Sequence, residues 1–191
     1  MVAGLLTVAG VIADPAPHAQ GRELIEAYAA NPNPLQFKAL SYHFAYTLWT
    51  AAAIGLAAVV RRRGSALANV AGVLGILAIS SIPGFLIGDF IDSAMGQLVG
   101  ADAAVTVGEV VGQQWAFAVM QLSGLAGLLL ALPLAAAAAW RAGLLPWWAT
   151  AAVVAGQVAF LGLGVTLPGN VLFTGGLAVL SIAIARNSSM I

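Results

Sequence analysis

The chain has 191 residues, 61% of them hydrophobic and 7% charged, with seven basic residues, seven acidic residues and a formal net charge of zero. Soluble domains carry about 25% charged residues, so a water-soluble fold of this size is excluded and lipid becomes the natural solvent. Cysteine is absent, which excludes disulfides, thiolate metal sites and thiol catalysis, and the sparse, balanced charge offers nucleic acid no electrostatic footprint.

A membrane-spanning helix needs roughly 20 mainly apolar residues. Residues 1–13 are apolar but reach only about 20 Å as a helix, against a hydrocarbon core of about 30 Å. They read as a short first span that thins the bilayer locally. The other readings are a signal peptide ending in Val11-Ile12-Ala13, which lacks the usual basic start, and the end of a span that begins upstream.

Residues 14–38 form a first external segment, opened by Pro15 and Pro17 and closed by Asn31-Pro32-Asn33-Pro34. Between these breakers Gly21–Ala30 reads as a short helix. Leu24, Ile25 and Tyr28 share one face, and Arg22, Glu23 and Glu26 share another. Such a helix lies on the membrane surface or closes as a lid over a cavity in the bundle.

Residues 39–60 and 66–88 are the next spans, joined by Arg61-Arg62-Arg63-Gly64. In the first of them His43, Thr47 and Thr50 form a polar stripe beside the aromatic stripe Tyr42, Tyr46 and Trp49. Polar groups are costly in lipid, so this side should face other helices. His43 reads as an interfacial histidine with a hydrogen-bond partner. Haem ligation would require His18 as second ligand, and a pH-sensing role is the remaining alternative.

Residues 89–114 read as an external or re-entrant helical segment. Gly84, Gly88, Gly96, Gly100, Gly108 and Gly112 fall on one four-residue series, completed by Asp92 and Ala104. Positions i and i+4 lie above one another on a helix, and small residues there let backbones approach closely. The series drifts over its length, so two helices broken near residues 100–103 are expected, packed through these glycines. The sharper alternative is a hairpin lining a pocket with Asp89, Asp92 and Glu109 at its mouth. Asp89 and Asp92 share a helix face but supply too few oxygens for a calcium ion, so no metal and no cofactor is expected.

The last spans are residues 116–139, 148–167 and 171–185. Pro83 and Pro133 fall inside spans and should kink them. Gln121 and Gln157 come from different spans at comparable depth. They read as an interhelical hydrogen bond, worth about 1 kcal/mol, or as polar contacts for a ligand held with His43, Tyr46 and Trp49.

Counted alternately, these spans put Arg61, Arg62, Arg63, Arg141 and Arg186 on one side and all seven acidic residues on the other, with Arg22 and Lys38. The positive-inside rule makes the arginine side cytoplasmic. Trp115 at one boundary, and Trp140, Trp147 and Trp148 at the other, fit aromatic belts. The expected fold is therefore an all-α, polytopic transmembrane helix bundle of five or six spans in the cell membrane, with short external amphipathic helices and a cytoplasmic C-terminus.

A first hydrophobic segment, a short Pro-flanked external helix and an Arg-Arg-Arg-Gly turn give this layout its character. It resembles the uncharacterised polytopic membrane proteins of high-GC bacteria, a resemblance of style over most of the chain that implies no activity. Neither HExxH, GxSxG nor a glycine-rich phosphate loop is present, and no charged residue lies within a span to suggest a pump or voltage sensor. Catalysis would require Asp89, Asp92, Glu109 and His43 to converge, so an enzyme is not the expectation. The leading expectation is an accessory or structural subunit that binds another integral membrane protein, or itself, through its Gly/Ala faces. The alternative is binding or transport of a small molecule, a lipid, quinone or other apolar ligand, at His43, Tyr46, Trp49, Gln121 and Gln157.

Overall fold

The structure is a computed structural model and describes residues 1–61 and 63–187, apart from the side chain of Asn187. Arg62, in the arginine turn, lies outside the described residues. The architecture is all-α: α1 Val2–Ala13, α2 Gly21–Ala30, α3 Pro32–Ala58, α4 Ser65–Val99, α5 Ala101–Gly112, α6 Trp115–Arg141, α7 Trp147–Leu163 and α8 Leu167–Asn187.

Side-chain size explains the packing. Between membrane helices the main attraction is close van der Waals contact, which small residues permit. The α4–α6 pair is built this way. A methyl group added to Gly127 would lie 2.1 Å from the Leu74 carbonyl oxygen, and one added to Gly124 would lie 2.3 Å from Cβ of Ser81. Ala71, Ala78, Ala131, Ala135 and Ala138 complete this contact, all buried. Gly156 and Gly176 bring α7 and α8 together in the same manner. On α1, Gly4 meets Thr174 of α8 and Gly10 meets the Tyr42 ring of α3.

Large side chains fill the other half of the interior. No Cα atom of α3 comes within 8 Å of one in α7 or α8. The gap is bridged by Trp49, whose ring lies 4.2 Å from Phe173 and 6.0 Å from Phe160 between centroids.

Two helices start or end elsewhere than hydropathy suggests. α3 begins at Pro32, seven residues before the apolar run at Ala39. Proline is tolerated in the first turn, where its missing N–H is not needed, and Leu35 anchors that turn in the interior. α4 continues through Gly88 to Val99, so residues 89–99 belong to it. At 35 residues it is about 52 Å long, well beyond the hydrocarbon thickness. It stops at Gly100, whose φ of +89° is readily adopted only by glycine. α5 follows at once.

Among the described residues three helices, Ser65–Val99, Trp115–Arg141 and Leu167–Arg186, are long and apolar enough to cross a membrane by length and composition alone, against the five or six spans expected. α1 and α7 are apolar but have 12 and 17 residues, about 18 and 26 Å. α3 has the length, but Gln36, Lys38, Ser41, His43, Thr47 and Thr50 dilute its hydropathy. Outward side chains such as Val70, Val73 and Ile76 on α4 and Met120, Leu122 and Leu125 on α6 are exposed, as lipid contact requires.

Candidate functional site

The polar chemistry concentrates where α1, α2, α3 and α4 meet. α1 ends at Ala13, and the Oδ1 atom of Asp14 accepts a hydrogen bond from the Ala16 amide at 3.0 Å, fixing the turn. The second oxygen, Oδ2, lies 3.3 Å from the Lys38 ammonium of α3, and Asp89 of α4 reaches the same ammonium at 3.2 Å. Lys38 also donates to the Tyr28 hydroxyl of α2. The Lys38 side chain is only 10% exposed and that of Asp14 only 7%. A charge so buried is tolerable only when paired and hydrogen-bonded, and here one cation is shared by two carboxylates and a phenol.

Tyr28 belongs to the clamp in two further ways. Its carbonyl accepts from the Ser93 hydroxyl of α4 at 2.9 Å, and its ring is buried with Leu35 and Ala16. Burial pushes its hydroxyl pKa above the ordinary phenol value, and the Lys38 hydrogen bond opposes that only in part. The clamp thus joins four helices near the N-terminal end of α3. A second ion pair nearby, Arg22 with Glu26 at 2.6 Å and Asp102 at 3.2 Å, ties α2 to α5 but is largely exposed.

Beside the clamp α3 and α4 line a groove of about 560 Å³. Its walls carry Leu40, Leu86, Ile87 and Phe90, with His43 and Pro83 toward one end and Gln36, Ser93 and Gln97 toward the other. The Gln97 amide donates to Ala29 O and Ser93 Oγ, both at 3.3 Å, and the Gln36 amide donates to Pro32 O at 3.3 Å. The volume lies within the usual range for small-molecule sites, about 300–1,000 Å³.

The residues singled out from sequence are dispersed. His43 lines the groove, edge-on to Phe44 at 5.4 Å. Tyr46 stacks on Tyr42 and meets Trp49 edge-on, so these rings point into the bundle. Trp49 and Gln157 are buried in the interior near α7 and α8. Gln121 is exposed on α6 and forms no pair with Gln157, which is buried on α7. His18 is exposed in the loop after α1.

The acidic group also divides. Asp89 is committed to Lys38, Asp92 sits half-buried one turn further along α4, and Glu109 is exposed on α5. Among the described residues no three His, Asp or Glu side chains are grouped to hold a metal ion. Of the six glycines in the four-residue series only Gly96 meets another helix, at Ile25 and Ala29 of α2. Gly84, Gly88, Gly100, Gly108 and Gly112 have nothing within 4 Å of an added methyl group. Packing inside the chain is instead mediated by Gly4, Gly10, Gly75, Gly124, Gly127, Gly156 and Gly176, all outside residues 84–112.

Sequence reasoning used Asp14 and Lys38 only to count charge. A usable signal was there: a lone lysine and two aspartates placed at three adjacent span ends on one side must either reach water or pair. Asn170, fully buried at the start of α8, also escaped notice. Compared with protein-family models, curated proteins and solved structures, the chain matches none.

Proposed function

We propose that this protein is a multi-pass membrane protein that binds an amphipathic small molecule, such as a lipid or quinone, in the groove between α3 and α4. The observation that carries the reading is the groove's polarity gradient. The amide and hydroxyl groups of Gln36, Ser93 and Gln97 stand at one end, and mainly apolar walls run from there to Pro83, where His43 is the one polar side chain. That order follows the change from headgroup level to hydrocarbon in a bilayer. Leu40, Ile87 and Phe90 of the groove are exposed, so such a molecule can enter from the membrane, and the buried Lys38–Asp89 pair ties the two walls together.

Six crossings of the cell membrane complete the proposal. α1 lies along α3 and α8, with its first amine donating to Ser181 Oγ at 3.2 Å, and α7 lies along α8. Short or polar helices cross more easily inside a bundle, where protein and not lipid surrounds their polar groups. The Lys38 clamp and the Arg22–Asp102 pair gather acidic residues at one end, and Gly143, Trp148 and Arg186 meet near the other. The positive-inside rule then gives the C-terminus a cytoplasmic location.

The binding reading is tested with a phospholipid carrying a diazirine in its acyl chain. After irradiation in nanodiscs, adducts should concentrate on Leu40, Ile87 and Phe90. Labelling spread evenly over the outward faces of α4, α6 and α8 would indicate ordinary annular lipid and sink the proposal.

A second reading, an accessory subunit bound to another integral protein or to a copy of itself, is favoured by one observation. Gly84 and Gly88 on α4, and Gly108 and Gly112 on α5, lie open to the outside, where a partner helix could approach closely.

A further inference from the structure

The interior holds a second polar cluster, remote from the groove's mouth and unrelated to the clamp. Trp49 Nε1, both polar atoms of the Gln157 amide and Oδ1 of Asn170 are buried and have no hydrogen-bond partner. The three residues are 1%, 3% and 0% exposed. Buried polar atoms are normally satisfied, by protein or by a small molecule such as water, so four together need an explanation.

Geometry brings them to one place. Trp49 reaches across the gap between α3 and the α7–α8 pair, and its ring packs on Phe160 and Phe173. Gln157 lies one turn before Phe160 on α7, and Asn170 one turn before Phe173 on α8. The two helices are antiparallel, with Gly156 against Phe173 and Gly169 against Ala159. That register puts the two amides at nearly one level, about 2 Å apart along the bundle, with Phe160 and Phe173 on either side of them.

The chemistry of the free atoms is specific. Asn170 uses its Nδ2 to donate to Thr166 O at 2.9 Å, which fixes the amide orientation and leaves Oδ1 as an acceptor. Trp49 offers one donor, and Gln157 offers a donor and an acceptor. The acidic and basic side chains whose contacts are known pair at the ends of the bundle, and the core around Trp49 is built of apolar residues. An ion there would have no counter-charge, which excludes it on solvation grounds.

We infer that Trp49, Gln157 and Asn170 form an internal binding site for a small uncharged molecule that both donates and accepts hydrogen bonds, an amide or alcohol. This site is independent of the groove between α3 and α4.

The test uses the full chain in nanodiscs, with acetamide as the probe and acetate as its charged analogue of like shape. Acetamide at about 50 mM should raise Tm by about 2–4 °C, as expected for a ligand near its dissociation constant, and acetate should not. The rise should vanish in Gln157→Met and Asn170→Leu, both of which should also melt below the parent chain. Equal responses to acetamide and acetate, or none to either, would overturn the inference. So would variants that melt above the parent chain, the behaviour of dry amides relieved of an unmet hydrogen-bonding need. If a variant does not fold, the acetamide–acetate contrast on the parent chain decides alone.

Discussion

Lys38→Met should destabilise the protein by about 3–5 kcal/mol, because removing one partner of a buried ion cluster leaves the opposite charges uncompensated. Asp14 and Asp89 would then face each other across an apolar side chain, 3.3 and 3.2 Å from where the ammonium had been. For a chain of this length the loss corresponds to a fall in Tm of roughly 10 °C or more. Neutralising the carboxylates as well, in Asp14→Asn/Lys38→Met/Asp89→Asn, should recover much of it, since replacing the whole cluster removes the unpaired charges. Such non-additivity is the signature of residues in one network. Arg22→Ala serves as the control. Its ion pairs have side chains 53–78% exposed, and solvent-exposed pairs contribute little, so Tm should not change measurably. Equal effects of Lys38→Met and Arg22→Ala in a thermal melt would mean that the clamp does not hold the outer ends of the helices.

Gly127→Leu should be the most damaging substitution in the interior. Its Cβ would lie 2.1 Å from the Leu74 carbonyl oxygen and 2.8 Å from the Ala78 amide nitrogen. These are backbone atoms that no rotamer change can move, so α6 must separate from α4. Overpacking a close contact costs about 3 kcal/mol or more in such cases, and loss of the folded monomer is the expected outcome on size-exclusion chromatography. Gly88→Leu is the counterpart. Nothing lies within 4 Å of that position, so the monomer should melt as before. If the Gly84–Gly88 face binds a second copy or another membrane protein, Gly88→Leu should abolish that assembly while leaving Gly127-mediated packing intact.

The contrast between these glycines marks the limit of what the sequence could tell. A recurrence every four residues identifies a face, as for Gly84, Gly88 and Gly96, but not which helix lies against it. In the folded chain only Gly96 found a partner. Gln121 illustrates the same limit: it precedes Gly124 and Leu128 by three and seven residues, and so shares their stripe, yet they are buried and it is exposed. The helical class was legible because long apolar runs leave few alternatives. The short helix α2 was legible from the proline and asparagine punctuation on either side of it. Helix ends were not, since helical hydrogen bonds continue past the point where hydropathy falls, as α3 and α4 both do. Of the candidate site, His43 was legible as a polar residue within an apolar run. The Lys38 clamp required knowing that α1, α2, α3 and α4 converge, which is tertiary information.

Native mass spectrometry of the protein released from nanodiscs tests the binding reading most directly, with Ala94→Trp as the groove-filling comparison. Ala94 lines the groove and is exposed, so the larger ring takes up its space without disturbing the core. The parent chain should carry one small lipid-like molecule in stoichiometric amount, and Ala94→Trp should lose it. A bare parent chain, or a molecule retained equally by both, would contradict binding in the groove between α3 and α4.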